Sequence, residues 1–319
     1  MINEIKITTR KSKLALWQTN FIKFKLKKFN KKINIKIKGI KTYGDIHTSQ
    51  ALYNIGGKGL FIKELEKEII ENKADIAIHS MKDVPYIISK NLKISTIIKR
   101  TEERDAFISK NYKNLNNLPI KSTVGTTSLR RKLQLLLKRP DLKIIPLRGN
   151  IDSRIEKLLK NNFDSIILSA IGIIRLNLYK YFKSYININD LTPSTGQGII
   201  GIENIKNFKH NLSLLMCKKT YKCIYTERNI NKLLYTGCHS PIGAIATIKK
   251  NYIFFNTIII SSCGKKLIRK SNNSIIKLYK NIGIITAQNL ISKGYKIMNN
   301  KIKKKYFNNK NYSKLYRNK

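Results

Sequence analysis

Apolar positions in the first hundred residues switch between two periods. "EIKITTR" alternates as a half-buried strand does. It runs into "SKLALWQTNFIKFKLKKF", where Leu14, Trp17, Phe21 and Phe24 recur at helical spacing. "INIKIKGI" alternates again. "GGKGLFIKELEKEIIENK" reads as a glycine-rich turn opening a helix, and "ADIAIHS" and "LKISTIIK" are apolar runs of strand length. Strand–helix–strand order predicts an α/β unit, a mostly parallel sheet with helices on both faces.

The pattern then restarts. "STVGTTSLRRKLQLLLKRP", "LKIIPLRGNIDSRIEKLLKNN" and "DSIILSAIGIIRL" each read strand, turn, helix. "TTRKSKLAL" and "TTSLRRKLQL" both place hydroxyls and arginine where a strand passes into a helix. Free N–H groups and the positive dipole end make such a junction a seat for an anion. Two similar α/β lobes facing one cleft would form a small-molecule site. From about residue 217 the texture changes. "CIYTERNINKLLYTGC" reads helical, "GAIATIKKNYIFFNTIIISSCGKKLIRK" as antiparallel strands and "NIGIITAQNLISKGYKIM" as a closing helix, which together predict a smaller α+β domain.

Composition changes this picture in three places. The formal net charge of +46 suggests nucleic acid at first. The excess is mostly lysine mixed with Ile and Asn throughout, spread rather than striped, as drift in an AT-rich genome would leave it; both explanations stay open. The tail "KIKKKYFNNKNYSKLYRNK" reads as a solvated, frayed end. Arginine is scarce by contrast. Arg10, Arg130, Arg131, Arg148, Arg154 and Arg175 fall in turn-rich places, where a planar fork that grips carboxylate or phosphate has a use. Chance surface placement is the alternative.

Cysteines stand at 217, 223, 238 and 263 and histidines at 47, 79, 210 and 239, with no C-x-x-C pair and no ligand spacing, so no metal site is expected. "MINEIKITTR" lacks the apolar run of a signal peptide, and no run of about 18 apolar residues occurs. The expectation is a cytoplasmic, reducing setting with free thiols and no membrane contact. "GQGIIG" matches a dinucleotide-binding glycine pattern, but "LTPST" precedes it and strand-like residues follow, so nicotinamide binding is rejected. In "YTGCHSPIGA", Cys238 sits between Gly237 and His239 ahead of Pro241, presented in a turn rather than packed.

Taken in order, "ITTRKSKLALWQ", "GGKGLFIKELE", "ADIAIHSMKDVP", "GTTSLRRKLQL", "LRGNIDSRIEKL" and "YTGCHSPIGA" resemble hydroxymethylbilane synthase, also called porphobilinogen deaminase. The resemblance implies two periplasmic-binding-protein-like α/β lobes around a cleft plus a smaller C-terminal α+β domain. It divides the chain into 1–98 with 199–216, 104–192, 220–305 and a disordered basic tail at 306–319. The implied reaction joins four porphobilinogen molecules head to tail on a covalent dipyrromethane primer, releasing ammonia, in tetrapyrrole and haem synthesis.

Residue by residue, the resemblance puts the primer on Cys238, the catalytic carboxylate on Asp83, and primer contacts on Lys58, Lys82, Asp45, Thr126, Ser128, Arg130 and Arg131. It puts substrate contacts on Arg10, Ser12, Arg148, Arg154, Arg175, Phe61 and Gln197. Porphobilinogen carries two carboxylates and an ammonium, so such a site must hold anions and stabilise one passing cation; Asp83 suits the second task. Without the resemblance, Asp83 reads equally as a cap on the turn before Pro85, and Phe61 equally as a lid or as the buried face of a helix. Gln197 would lie at a crossing between lobes and act there as a hinge. Cys217, Cys223 and Cys263 have no implied role and read as packing residues. Ser194 and Thr195 stand where the family usually has apolar residues. The implied partner is porphobilinogen, with no specific nucleic acid, acting on a monomer. The competing readings are a solute-binding protein, a basic nucleic-acid-binding protein and an inactive member of the family. The pairing of Cys238 with Asp83 argues against the first, the absence of a basic-aromatic module against the second, and the retained chemical residues against the third.

Overall fold

The computed structural model describes residues 4–46, 59–208, 212–236, 240–261 and 263–295. In the first sheet β1 (Glu4–Arg10) lies parallel to β2 (Asn34–Ile40) on one side and β3 (Ile76–Ser80) on the other, and β4 (Leu92–Ile97) forms the far edge. The second sheet holds β5 (Asp105–Ser109), β6 (Thr123–Gly125), β7 (Lys143–Ile145), β8 (Ser165–Ser169) and β9 (Phe182–Tyr185), in the order β7-β6-β8-β5-β9. The chain then returns, and β10 (Ile200–Ile205) inserts between β3 and β4, antiparallel to both. In the second sheet β5 plays that part, antiparallel to β8 and β9. Each sheet therefore has one strand running against the rest, and the two lobes repeat one topology, as their matching junctions suggest.

The strands form because isoleucine recurs along them. Ile5, Ile7, Ile35, Ile76, Ile78, Ile200 and Ile202 are buried in one cluster with Ile22 of the helix that follows β1. β-Branched side chains favour extended backbone, and each fully buried one contributes about 1.5–3 kcal/mol. That helix, α1 (Lys13–Phe29), starts at Ser12, whose hydroxyl accepts from the Ala15 N–H at 3.3 Å. Its apolar spacing misidentifies the buried face. Ala15, Gln18, Thr19, Ile22 and Leu26 are buried, whereas Trp17 and Phe24 are exposed and Trp17 stacks on Phe21. Four more helices cover the strands after a short turn of helix, α2 (Tyr43–Ile46): α3 (Lys63–Ile70), α4 (Leu129–Lys138), α5 (Ile151–Leu159) and α6 (Ala170–Arg175).

The third unit packs α7 (Lys218–Leu233) and α8 (Tyr279–Leu290) on an antiparallel sheet of β11 (Ile242–Lys249), β12 (Tyr252–Ile260) and β13 (Leu267–Ile275), around Ala244, Ala246, Phe255, Ile259, Ile282 and Leu290. It docks where the chain crosses between the two sheets, at 98–104 and 191–199. Buried Glu227 of α7 accepts from Arg100 Nη2 at 2.7 Å, from Gly196 N at 2.8 Å and from Ala246 N at 2.8 Å. Burial pushes its pKa up, with the Arg100 charge opposing. The crossings touch each other as well. Gly198 has φ +84°, and a Cβ there would lie 2.2 Å from the Glu102 carbonyl oxygen. That contact, followed by strand β10 instead of a helix, accounts for the glycines of "GQGIIG".

Candidate active site

The expected site residues gather at one edge of the two sheets. Arg10 ends β1 and Ser12 follows it; Lys82 and Asp83 lie in a 3₁₀ turn directly after β3. Thr126, Ser128, Arg130 and Arg131 follow β6, Arg148 follows β7, and Arg175 ends α6 after β8. The carboxyl ends of parallel strands are where α/β sheets leave a crevice, because helices open there with free N–H groups. The antiparallel strands begin at the same edge: Asp105 pairs with Ser169, and Ile200 with Ser80.

At the centre is a residue that the sequence reading passed over. Asp105 is fully buried. It accepts from Arg130 Nη2 at 2.9 Å, Arg131 Nη2 at 2.8 Å and Gln197 Nε2 at 2.9 Å. Burial alone would raise its pKa, but the charges of Arg131 and Arg130 and their hydrogen bonds hold it well below the ordinary carboxylate range. The two arginines expected as open forks are thus mostly committed. Arg130 Nη1 also donates to Thr192 O at 2.6 Å and Arg131 Nη1 to Ile167 O at 3.1 Å, while Arg131 Nε is buried with no partner among the described residues.

Arg10 needs a similar correction. Its guanidinium forms a two-pronged ion pair with Asp45, Nε at 3.1 Å from Oδ2 with Nη2 on Oδ1, and stacks over the Phe61 ring at 4.2 Å to the centroid. Burial works against the Asp45 charge, but the Arg10 hydrogen bond and charge and the Thr42 bonds hold its pKa down. Phe61 precedes α3 and packs between Arg10 and Gly44, so it is not on the buried face of that helix. Arg175, buried at the end of α6, donates to Gly198 O at 3.3 Å and lies 5.4 Å from the centroid of Trp17. Burial lowers its pKa to about 10. Ser128 caps α4, accepting from Arg131 N at 3.4 Å, and Thr126 Oγ1 accepts from Ser128 N at 3.2 Å. Ser12 and Ser128 therefore spend their hydroxyls on helix starts. Lys58 and Cys238 lie outside the described residues.

What remains faces a cavity of about 140 Å³ lined by Lys82, Asp83, Ser128, Arg130, Arg131, Ser194, Thr195, Gln197, Asn231, Ser240 and Ile242. All three units contribute to it. Among the described residues no side chain forms an ion pair or hydrogen bond with Asp83. Burial pushes the Lys82 ammonium pKa down, and the Asp83 charge opposes the shift. Arg154 donates Nε to Gly149 O at 2.7 Å; burial lowers its pKa to about 10, with the like charge of Arg131 adding and Asp83 opposing. It remains a cation at neutral pH. The site thus combines one uncommitted carboxylate with several cations, a donor set suited to a ligand bearing several carboxylates. Among the described residues no group of three or more His, Cys, Asp or Glu side chains could hold a metal ion.

Asp105 and three residues of α7 were missed. Arg228 donates to Val84 O at 3.0 Å and Pro85 O at 2.6 Å, bracing the turn after Asp83; Asn231 and Glu227 reach the second crossing. One signal was available. Acidic residues number 18 against 64 basic ones, so an Asp opening the apolar run "DAFIS" stands out. Cys223 is buried as expected, Cys217 is half-buried, and Cys263 is exposed, contrary to the packing role expected of it.

Comparison with known proteins agrees with this architecture. The family model "Porphobilinogen deaminase, dipyromethane cofactor binding domain" matches residues 5–212, and "Porphobilinogen deaminase, C-terminal domain" matches 221–292. Porphobilinogen deaminase of Francisella tularensis subsp. holarctica (strain OSU18) is 42% identical over 305 residues, 93% of this chain and 99% of that protein. Its counterpart in Francisella tularensis subsp. tularensis (strain SCHU S4 / Schu 4) is 41% identical over 303 residues with the same coverage. Among solved structures, the methionine binding protein MetQ shares 14% identity at a TM-score of 0.42, covering 65% of this chain and 86% of that one. The periplasmic aliphatic sulphonate binding protein SsuA from Escherichia coli shares 11% at 0.40, covering 73% and 70%. The two-lobe description rests on the chain's own sheets.

Proposed function

The chain belongs to the porphobilinogen deaminase family, and on that premise we propose that it is a hydroxymethylbilane synthase, a transferase of tetrapyrrole biosynthesis. It joins four porphobilinogen molecules head to tail and releases ammonia and hydroxymethylbilane. The dipyrromethane cofactor, attached through Cys238, supplies the pyrrole carbon on which the chain grows.

The observation that carries this reading is Asp83, without a hydrogen-bond or ion-pair partner among the described residues, in a cavity whose charged lining is otherwise Lys82, Arg130 and Arg131. A carboxylate without a partner can stabilise the positive charge that develops as the substrate loses ammonia, and can take up and return a proton. The cofactor's carboxylates would have two partners here: Arg131 Nε has no hydrogen-bond acceptor among the described residues, and a further anion would oppose the burial that pushes the Lys82 pKa down, as Asp83 does. Lys58, Thr126, Ser128, Asp45, Arg130 and Arg131 complete the proposed cofactor contacts. Arg148, Arg154, Arg175, Ser12, Phe61 and Gln197 would hold substrate with Arg10, which must exchange Asp45 for a substrate carboxylate to do so.

We propose that it acts as a monomer on porphobilinogen. We place the protein in the cytoplasm; no helix among its described residues is long and apolar enough to cross a membrane. We propose the division into 1–98 with 199–216, 104–192 and 220–305, with the three sheets as its support; residues 296–319, the tail at 306–319 included, lie outside the described residues.

Intact mass of the purified protein beside Cys238→Ser tests the proposal. The expected result is a mass excess of two linked pyrrole units, absent from the variant. A protein that stays unmodified after incubation with porphobilinogen, and forms no product, overturns it.

A further inference from the structure

Four polar side chains in the cavity wall have no part in the roles above, and three of them, Ser194, Thr195 and Asn231, belong together. They are not isolated. Asn231 Nδ2 donates to Thr195 Oγ1 at 2.7 Å, and Asn231 Oδ1 accepts from Thr236 Oγ1 at 3.3 Å. Thr236 N donates to the Asn231 carbonyl at 2.9 Å, and Thr236 is 4% exposed. On the other side Ser194 Oγ donates to Gln197 Oε1 at 3.2 Å, and Gln197 Nε2 donates to the carboxylate holding Arg130 and Arg131. Two hydrogen-bonded pieces therefore meet at adjacent residues of the crossing: Thr236–Asn231–Thr195, which starts two positions before Cys238, and Ser194–Gln197–Asp105, which ends at the arginine pair.

We propose that Asn231 is a positioning residue, which through Thr195 sets the segment entering Cys238 against the lobe crossing, whose Gln197 shares Asp105 with the arginine pair. An amide can donate at one end and accept at the other; no apolar side chain of its size does either. Thr195 supplies the matching acceptor at a position where an apolar residue would pack without a bond. The idea rests on the proposed function only for its kinetic readout.

The test uses the full-length protein as wild type, Thr195→Val, Thr195→Ser, Asn231→Leu and the Thr195→Val/Asn231→Leu double variant. Hydrogen–deuterium exchange of peptide 234–242 needs no substrate. We expect exchange to accelerate about fivefold in Thr195→Val and Asn231→Leu, the scale of one lost hydrogen bond. Thr195→Ser should match wild type. In the loaded enzyme, established by intact mass, the same two variants should lose about fivefold in kcat, with KM for porphobilinogen within about twofold. The double variant should be no worse than Asn231→Leu alone, because Asn231→Leu already removes the bond to Thr195 together with the one from Thr236. Wild-type exchange and kcat in Thr195→Val, a Thr195→Ser as impaired as Thr195→Val, or losses that add in the double variant would each overturn the inference. If the wild type forms no product, the functional proposal falls, and the exchange data still decide this one.

Discussion

Asp105→Asn asks whether one buried carboxylate, rather than the surrounding fold, holds Arg130 and Arg131 in place. The substitution keeps the volume, removes the charge and turns one acceptor into a donor that must face guanidinium or amide donors. Both arginine bonds, at 2.9 and 2.8 Å, are charge-assisted, and all three side chains are more than nine-tenths buried. Such bonds are worth about 1.5–3 kcal/mol each, and removing one partner of a buried ion pair costs about 3–5 kcal/mol, since it strands the other charge. We expect Asp105→Asn to lose about 4 kcal/mol of unfolding free energy at pH 7. Urea denaturation followed by the fluorescence of the single Trp, Trp17, reads this. The pH dependence gives a second check. The Asp105 pKa is depressed in the folded state, so its contribution is present above the unfolded value and is lost as pH falls through the folded one. The gap between wild type and variant should therefore stay level from pH 8 to pH 5 and narrow only below about pH 4. Adding Arg131→Met removes one stranded charge, so the double variant should lose less than the sum of the singles. A variant within about 0.5 kcal/mol of wild type, or a gap already closing between pH 8 and pH 6, would refute the reasoning.

Two further outcomes are expected. Asp83→Asn should lower kcat by about 100-fold or more while shifting the melting midpoint by no more than about 2 °C, because no ion pair among the described residues is lost with the charge; a large drop in the midpoint would mean the carboxylate is structural. At pH 8 iodoacetamide should modify exposed Cys263 within minutes and spare Cys223, whose thiol burial pushes up to about 12, until the protein is unfolded. Peptide mass mapping decides it, and equal rates at the two sites would contradict the fold.

Much of the architecture was legible because it is local. Period-two isoleucine runs, hydroxyl caps such as Ser12 and Ser128, and strand–helix order predict the α/β units and the two anion-seating junctions. Where local pattern failed, a nonlocal contact had overridden it. The Leu14–Trp17–Phe21–Phe24 stripe is helical yet half exposed, because Arg175 from the other lobe, rather than the sheet, meets Trp17. β5 and β9 escaped notice because neither leads into an α-helix, the strand–turn–helix setting by which β6, β7 and β8 were read.

The candidate site divides in the same way. Turn-rich settings draw attention to Cys238 and the arginines, and the family resemblance gives Cys238 and Asp83 their roles. Neither can say which charges neutralise one another. Arg10 turns to Asp45, 35 residues away, and Arg130 to Asp105, 25 away, while Asp83 is left without a partner among the described residues. Those pairings depend on which strand ends share an edge, and that is set by β5 and β10 inserting against their neighbours. Asn231 is the extreme case: on α7 it is one more polar residue, and only the docking of the third unit on the crossing brings its amide to Thr195. The sequence by itself determined the elements and the reactive groups, because propensity, periodicity and side-chain chemistry are properties of neighbouring residues. The tertiary structure alone decided which of those groups stay free to act, because charge pairing and burial depend on segments that meet only when the sheets close.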